Sequence, residues 1–159
     1  MALSHASEVS SVYSCPISPL TVQEVENCPD SKEKWQEAAA RKNCAAYASQ
    51  CDEPERLVYH CVINSFINAT LEVCAYAQFI VFGHCTDYSI SGNLIKQNWG
   101  TNCEVFETKP CPNVYRSTEA YKYPGCYELT KNSKRSTTKF EFEISSTRGI
   151  PSDKKTKLL

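Results

Sequence analysis

The spacing of apolar positions predicts one helix in the first third of the chain. From Ser31 to about Ser49, apolar side chains recur near a 3.6-residue period and charged side chains fill the other positions. Asp30 lies directly before this stretch, and Glu33 lies three residues after Asp30. This spacing is a capping-box arrangement with Asp30 as N-cap. The apolar stripe of the predicted helix is formed by Trp35, Ala38, Ala39, Ala45 and Ala46.

The pattern changes after Pro54, which cannot continue a helix. The predicted strands cover residues 57–63, 70–75, 78–88, 94–99 and 120–129, the last interrupted at Pro124-Gly125. Ser91-Gly92-Asn93 supplies a tight turn. In the first strand, alternation puts Leu57, Tyr59, Cys61 and Ile63 on one face. We therefore predict a small, disulfide-stapled α+β module in which one N-terminal helix packs on an antiparallel sheet.

The cysteines occur at wide and irregular spacings that favour disulfide bonds. Consecutive cysteines are 7 to 18 residues apart, whereas a structural zinc site brings two thiolates together over a short C-x2–4-C loop. We predict five disulfides and no metal or other cofactor, and the spacing alone leaves the pairing open. The predicted half-cystines are Cys15, Cys28, Cys44, Cys51, Cys61, Cys74, Cys85, Cys103, Cys111 and Cys126.

Charge divides the chain into three parts. Residues 130–159 carry eight basic and three acidic side chains, so this segment is +5 and residues 1–129 are −6. We predict a flexible leader over residues 1–14, a cysteine-rich module over 15–129 and a flexible basic tail over 130–159, in which residues 140–144 are a candidate edge strand. The lysines at 154, 155 and 157 suit a solvated tail better than a contact with polyanions or acidic lipids.

Composition also bears on partners and location. A net charge of −1 argues against a nucleic-acid binder, and no apolar run approaches the length of a membrane span. Because disulfides persist in oxidising compartments, we expect an extracellular, secreted protein, although residues 1–8 do not read as a signal peptide. The sequon Asn68-Ala-Thr70 makes Asn68 a candidate glycosylation site.

Candidate catalytic groups are few. His60 and His84 each precede a cysteine in a predicted strand, and the two imidazoles would meet if these strands were neighbours. Acidic side chains cluster around Pro54, where calcium binding or glycosidase chemistry competes with plain surface exposure; they are Asp52, Glu53 and Glu55. A late tyrosine-rich segment suits either a protein interface or core packing, and its members are Tyr115, Tyr121, Lys122, Tyr123 and Tyr127.

A series of cysteine motifs runs through residues 28–129. They are Cys28-Pro29 with Trp35 seven residues on, an Ala-rich helix to Cys44, Tyr59-His-Cys61, Leu71-Glu-Val-Cys74, Gly83-His-Cys85, Cys103, Cys111-Pro112 and Tyr121-Lys-Tyr-Pro-Gly-Cys126. This series resembles a module of uncharacterised cysteine-rich extracellular proteins of aquatic animals, molluscs especially, many of which look like single-pass receptors. The resemblance implies that Cys15 and Cys51 are additional to the shared cysteines and pair with each other. It implies no catalytic residues.

Two classes of function follow. The first is a non-enzymatic extracellular recognition or adhesion module, similar to a receptor ectodomain, that binds a protein or glycan partner. The alternative is a small secreted effector, such as a hydrolase, an inhibitor or a toxin-like protein. An enzyme would bring titratable groups with shifted pKa values together in a cleft, whereas a recognition module would not.

Overall fold

The computed structural model describes residues 13–132, which form a five-stranded sheet, a two-stranded ribbon and two α-helices. The main sheet has the order β1-β3-β2-β5-β6, and β4 pairs with β7 to form the ribbon. The strands are β1 Gln23–Val25, β2 Leu57–Asn64, β3 Thr70–Tyr76, β4 Phe79–Val81, β5 Cys85–Ser89, β6 Leu94–Asn98 and β7 Val114–Arg116. The α+β class is therefore confirmed.

The main sheet is mixed, so the prediction of a wholly antiparallel sheet is wrong. β2 and β5 run parallel, with Ile63 opposite Asp87, while the other neighbouring pairs are antiparallel. The parallel pair arises because the predicted strand over 78–88 is broken at Phe82-Gly83. Its first half leaves the sheet to pair with β7, and its second half returns beside β2.

Helix α1 covers Lys32–Lys42 and is shorter than predicted at both ends. Its N-cap is Ser31, not Asp30, and the Ser31 side chain accepts a hydrogen bond from the Lys34 backbone N–H at 3.2 Å. The helix ends at Asn43, whose left-handed conformation (φ 52°) stops the α-helical pattern. The chain then continues as a 3-10 helix over Cys44–Gln50, which accounts for the rest of the predicted helix.

The strand predicted over 120–129 is wrong, because this part of the chain is helical. A 3-10 helix covers Ser117–Lys122, and helix α2 covers residues 124–132. Pro124 occupies the first helical position, where its missing N–H costs nothing. The Pro-Gly pair therefore marks the start of a helix and not an interruption in a strand.

Alternate side chains of β2 enter two different cores. Leu57, Tyr59 and Cys61 belong to the helix-side core, in which α1 contributes Ala38, with Trp35 packed against it. The ribbon-side core contains Val62, Ile63, Leu71, Val73, Ala75, Ile80, Cys85, Tyr88, Ile95, Cys103, Cys111, Tyr115, Ala120 and Cys126. The predicted alternation is thus present from 57 to 62, but Ile63 packs in the ribbon-side core.

The ten cysteines form five disulfides, as predicted. The bonds are Cys15–Cys51, Cys28–Cys61, Cys44–Cys74, Cys85–Cys126 and Cys103–Cys111. The first is the pairing that the resemblance implies. Cys44, which follows α1, is thereby bonded to a central strand of the sheet.

Several predictions concern residues outside the described range of 13–132. They are most of the flexible leader, most of the basic tail, the edge strand over 140–144, and the lysines at 154, 155 and 157. Within residues 13–132, the helices are all too short or too polar to cross a bilayer.

The disulfide pattern predicts a specific mass change and peptide map. Full reduction of the purified protein should add about ten hydrogens, two per bond. A non-reducing digest should yield five linked peptide pairs with the connectivity given above, measured by mass spectrometry. A Cys85–Cys103 linked peptide from freshly secreted protein would contradict this arrangement.

Candidate functional site

The outer face of the β4–β7 ribbon is apolar and exposed. Ile80 and Tyr115 point inward and are buried, so their neighbours along each strand point outward. Phe79 faces Arg116 across the ribbon, and Val81 faces Val114. The Arg116 guanidinium lies over the Phe79 ring, 5.3 Å from its centroid.

Phe82 and Trp99 extend this face beyond the end of the ribbon. Their ring centroids are 6.1 Å apart, and each side chain is 61% exposed. The His84 ring contacts Trp99 edge-on at 4.9 Å and donates its Nδ1 hydrogen to the Thr101 carbonyl oxygen. We call this surface the aromatic ridge, defined by Phe79, Val81, Phe82, His84, Trp99, Val114 and Arg116.

The turn that presents Phe82 is strained and firmly held. Phe82 and Gly83 both have positive φ, 62° and 67°, which is costly for a phenylalanine. Gly83 is required because a Cβ there would lie 2.1 Å from the Glu104 side chain. Its N–H donates to the Asn113 carbonyl at 3.3 Å, and its carbonyl accepts from the Cys103 N–H at 2.9 Å. The fold therefore fixes an aromatic ring in solvent at a conformational cost.

The β2–β3 turn lies beside the ridge. The Asn98 side chain donates to the Ser65 carbonyl oxygen at 3.2 Å, which joins this turn to the end of β6 next to Trp99. Phe66, in the same turn, is among the most exposed large apolar side chains of the described residues. The β2–β3 turn is therefore hydrogen-bonded to the residue that precedes Trp99.

The two histidines predicted as a pair have different environments. His60 is buried, with Nδ1–H donating to the Val58 carbonyl at 3.1 Å, whereas His84 is half-buried and packs against Trp99. They share no hydrogen-bond partner. The hydrogen-bond partners of their ring nitrogens are other groups, so no hydrogen bond joins the two imidazoles as the two-histidine prediction required.

His60 instead meets Ser117, a contact that sequence analysis missed. Because Nδ1 carries the hydrogen, Nε2 accepts from the Ser117 hydroxyl at 2.8 Å, and Ser117 Oγ accepts from the Gln78 N–H at 2.9 Å. A serine bonded to a histidine is also the arrangement of a nucleophile with its base. Here both side chains are only 1% exposed, so a substrate has no route to the hydroxyl. The pair joins β2 to the segment that follows β7.

The acidic cluster around Pro54 is a surface turn. Glu53 forms an ion pair with Arg56 at 3.0 Å, and its N–H donates to the Tyr76 hydroxyl at 3.1 Å. Asp52 and Glu55 are exposed. These contacts match the surface alternative considered for this cluster.

The tyrosine-rich segment is divided between core and surface. Tyr115, predicted at an interface, is a core residue at 5% exposure, and its hydroxyl donates to the His84 carbonyl at 2.7 Å. Tyr127 donates its hydroxyl to the Cys61 carbonyl at 2.8 Å, and burial raises its pKa. Tyr121, Lys122 and Tyr123 keep part or all of their surface in solvent. The segment is therefore not one continuous interface.

The sequon has an exposed acceptor and a buried hydroxyl. Asn68 lies in the β2–β3 turn, where its Oδ1 accepts from Asn64 Nδ2 at 2.7 Å. Thr70 is buried and donates its hydroxyl to the Val25 carbonyl at 2.6 Å, across the β1–β3 pair. Glycosylation that requires both groups must therefore precede the pairing of β1 with β3.

Three sulfur atoms have the spacing of a metal site. The Sγ atoms of Cys85, Cys103 and Cys126 lie within 4.8 Å of one another. Each is consumed in a disulfide, so none offers a thiolate. The cluster instead joins two neighbouring disulfides in the ribbon-side core.

Comparison with protein-family models, curated proteins and solved structures found no match to this chain. The aromatic ridge is therefore identified from its geometry alone. Its sequence signal was weak: Phe79 and Val81 alternate with buried Ile80, but Phe82 and Trp99 lie in turns where periodicity gives no information.

Buried His60 predicts a loss of stability in mild acid. Desolvation and the nearby Arg116 lower its pKa to about 4 in the folded state, against about 6.5 when unfolded. Between these values the unfolded chain binds a proton that the folded chain does not, so stability falls as pH falls below 6.5. The free energy of unfolding should drop by about 2 kcal/mol between pH 7 and pH 5, measured by guanidinium denaturation. His84→Gln should keep this drop, and an equal drop in His60→Gln would contradict the assignment.

The strained turn predicts that a glycine at position 82 gives a more stable protein than an alanine does, the reverse of the usual order. Both Phe82→Ala and Phe82→Gly remove the ring, but only glycine relieves the positive φ. Phe82→Gly should be more stable than Phe82→Ala by about 1 kcal/mol, measured by chemical denaturation. At Val81, in extended strand β4, the Val81→Ala variant should be more stable than the Val81→Gly variant. An alanine preference at both positions would refute the strain.

Proposed function

We propose that this chain is a non-enzymatic extracellular recognition module, similar to a receptor ectodomain, that binds a protein partner through the aromatic ridge. Five disulfides support an oxidising, extracellular setting. The observation that carries the proposal is the ridge itself, an apolar surface left in solvent on which Phe79, Phe82 and Trp99 are each 61% exposed.

The composition of the ridge supports a protein partner over a glycan. Protein interfaces are enriched in aromatic residues and arginine and depleted of lysine and acidic residues at their centre. The ridge follows this pattern, with Trp99 and Arg116 as the residue types that dominate binding energy. A glycan site would add hydrogen-bonding side chains around a flat ring, whereas Phe82 and Trp99 are tilted by 32° and flanked by valines.

Rigidity lowers the cost of binding at this surface. The Phe82 turn is held by two backbone hydrogen bonds through Gly83, and Arg116 is already placed over Phe79. Side chains that are ordered before binding lose less entropy when a partner arrives. The strain at Phe82 is a further sign of function, because strained residues persist where the presented side chain is used.

The environment of the titratable groups supports recognition over hydrolysis. The Ser117–His60 pair is sealed in the interior, and the acids around Pro54 are solvated. Asn68, as a glycan acceptor exposed in the β2–β3 turn, agrees with a secreted glycoprotein.

Selection from a phage-displayed peptide library tests the proposal and requires no identified partner. Peptides that bind the wild-type chain should lose at least about ten-fold in affinity on Trp99→Ser, because a central aromatic residue contributes about 2 kcal/mol or more. Phe79→Ser should weaken the same peptides. Affinities are measured by surface plasmon resonance.

Leu20→Ser is the matched control, because Leu20 is 81% exposed and lies outside the ridge. It should leave peptide affinity unchanged. Peptides insensitive to both ridge substitutions, or equally sensitive to Leu20→Ser, would refute the ridge as the binding surface. If the chain binds a glycan array and Trp99→Ser abolishes that binding, the partner is a carbohydrate and not a protein.

A further inference from the structure

A cleft between the two α-helices lies apart from the aromatic ridge. It has a volume of about 570 Å³, which is within the usual range for ligand sites. Its walls come from the loop before α1, one side of α1, the first residues of β3, and α2. We call it the interhelix cleft, and the lining residues used below are Glu26, Pro29, Glu37, Arg41, Glu72 and Tyr121.

The walls of the interhelix cleft are fixed by covalent and polar contacts. The Cys28–Cys61 disulfide attaches the loop before α1 to β2. On the opposite wall, Tyr127 donates its hydroxyl to the carbonyl of the same Cys61. The Tyr121 ring is placed against Trp35, with centroids 6.3 Å apart. The cleft is therefore formed before any ligand enters.

The charges that line the cleft do not balance. Two ion pairs in the lining contribute no net charge. They are Lys34–Asp30 at 3.2 Å and Lys131–Glu128 at 3.6 Å. The charged groups that remain in the lining are three carboxylates and one guanidinium, a net charge of −2. They are Glu26, Glu37, Glu72 and Arg41.

Glu72 is the carboxylate that the fold positions most strictly. Its Oε2 accepts the Tyr59 hydroxyl at 2.6 Å, and Tyr59 is a buried residue of the helix-side core. Glu72 is itself partly buried, and among residues 13–132 no Lys, Arg or His nitrogen lies within 4.0 Å of its carboxylate. A carboxylate that lines a cleft and has no cationic partner among these residues can accept a charge-assisted contact from a ligand cation.

We propose that the interhelix cleft binds a cationic group carried on an aliphatic stem, the chemistry shared by arginine and lysine side chains of a peptide and by polyamines. The cation pairs with Glu72, and the stem lies against Tyr121 and Pro29. Tyrosine faces also attract cations directly. This goes beyond the proposed function, because the cleft shares no residue with the aromatic ridge.

Isothermal titration calorimetry of the full chain with acetyl-tetra-arginine amide, at low ionic strength, tests the proposal. Saturable 1:1 binding is expected, and Glu72→Gln should weaken it about five-fold by removing a charge-assisted contact. Glutamine still accepts the Tyr59 hydroxyl, so the core contact is kept. Glu55→Gln removes the same charge from an exposed turn outside the cleft and should leave the affinity unchanged.

A second variant tests the same cleft in case Glu72→Gln does not fold. Glu37→Lys changes an exposed position of α1 at the cleft and places a competing ammonium there, so it should also weaken binding. Far-UV and near-UV circular dichroism should match the wild type for both variants.

Two further probes separate the sources of the cation. Spermine binding that depends on Glu72 assigns the site to ammonium groups in general, and tetra-arginine binding without spermine binding assigns it to a guanidinium-bearing peptide. Equal losses in Glu72→Gln and Glu55→Gln, binding of acetyl-tetra-glutamate amide, or absence of saturable binding would each overturn the proposal.

Discussion

The structure depends on two disulfides that end on neighbouring central strands. Cys28–Cys61 and Cys44–Cys74 attach both ends of the segment carrying α1 to β2 and β3. An isolated helix of 11 residues is marginal in water, and α1 buries little beyond Ala38 and part of Trp35. Because both ends are tied, Trp35 is held against Tyr59 at a centroid distance of 5.5 Å. The helix-side core and the interhelix cleft both follow from this constraint.

The other half of the molecule is held in the same way. From residue 99 to 113 the chain contains only a three-residue 3-10 helix, yet this stretch carries Trp99 and packs against the β4–β5 turn. Cys103–Cys111 closes it on itself, and Cys85–Cys126 joins β5 to α2. Cross-links of this kind replace the apolar burial that a small domain lacks. They allow the ridge to remain exposed without a loss of order around it.

Sequence patterns predicted the parts of the fold that depend on local rules. Strands β2, β3 and β6 and the turn at Asn93 were placed correctly, because alternation and turn residues are local signals. The end of α1 was missed because Asn43, and not a glycine, takes the left-handed conformation. The ridge was missed for a related reason: Phe82 has positive φ, a conformation that its residue type disfavours and that only the contacts of Gly83 with Asn113 and Cys103 impose.

Burial also decides what the titratable groups can do. Ser117 and His60 are 57 residues apart, so no sequence motif joins them, and the structure buries the pair once it is formed. Asp87 is also buried, paired with Lys96 at 2.8 Å, and burial raises its pKa against the opposing effect of Lys96. Perturbed groups at an active site face a cavity. Here the strongly perturbed His60 is bonded within the interior. Tyr127 lines the interhelix cleft, but its hydroxyl is bonded to the Cys61 carbonyl. The surface is left with apolar rings at the ridge and carboxylates in the cleft. The buried Ser117–His60 pair therefore serves the fold, and the exposed groups of the ridge and the cleft are the ones left to contact other molecules.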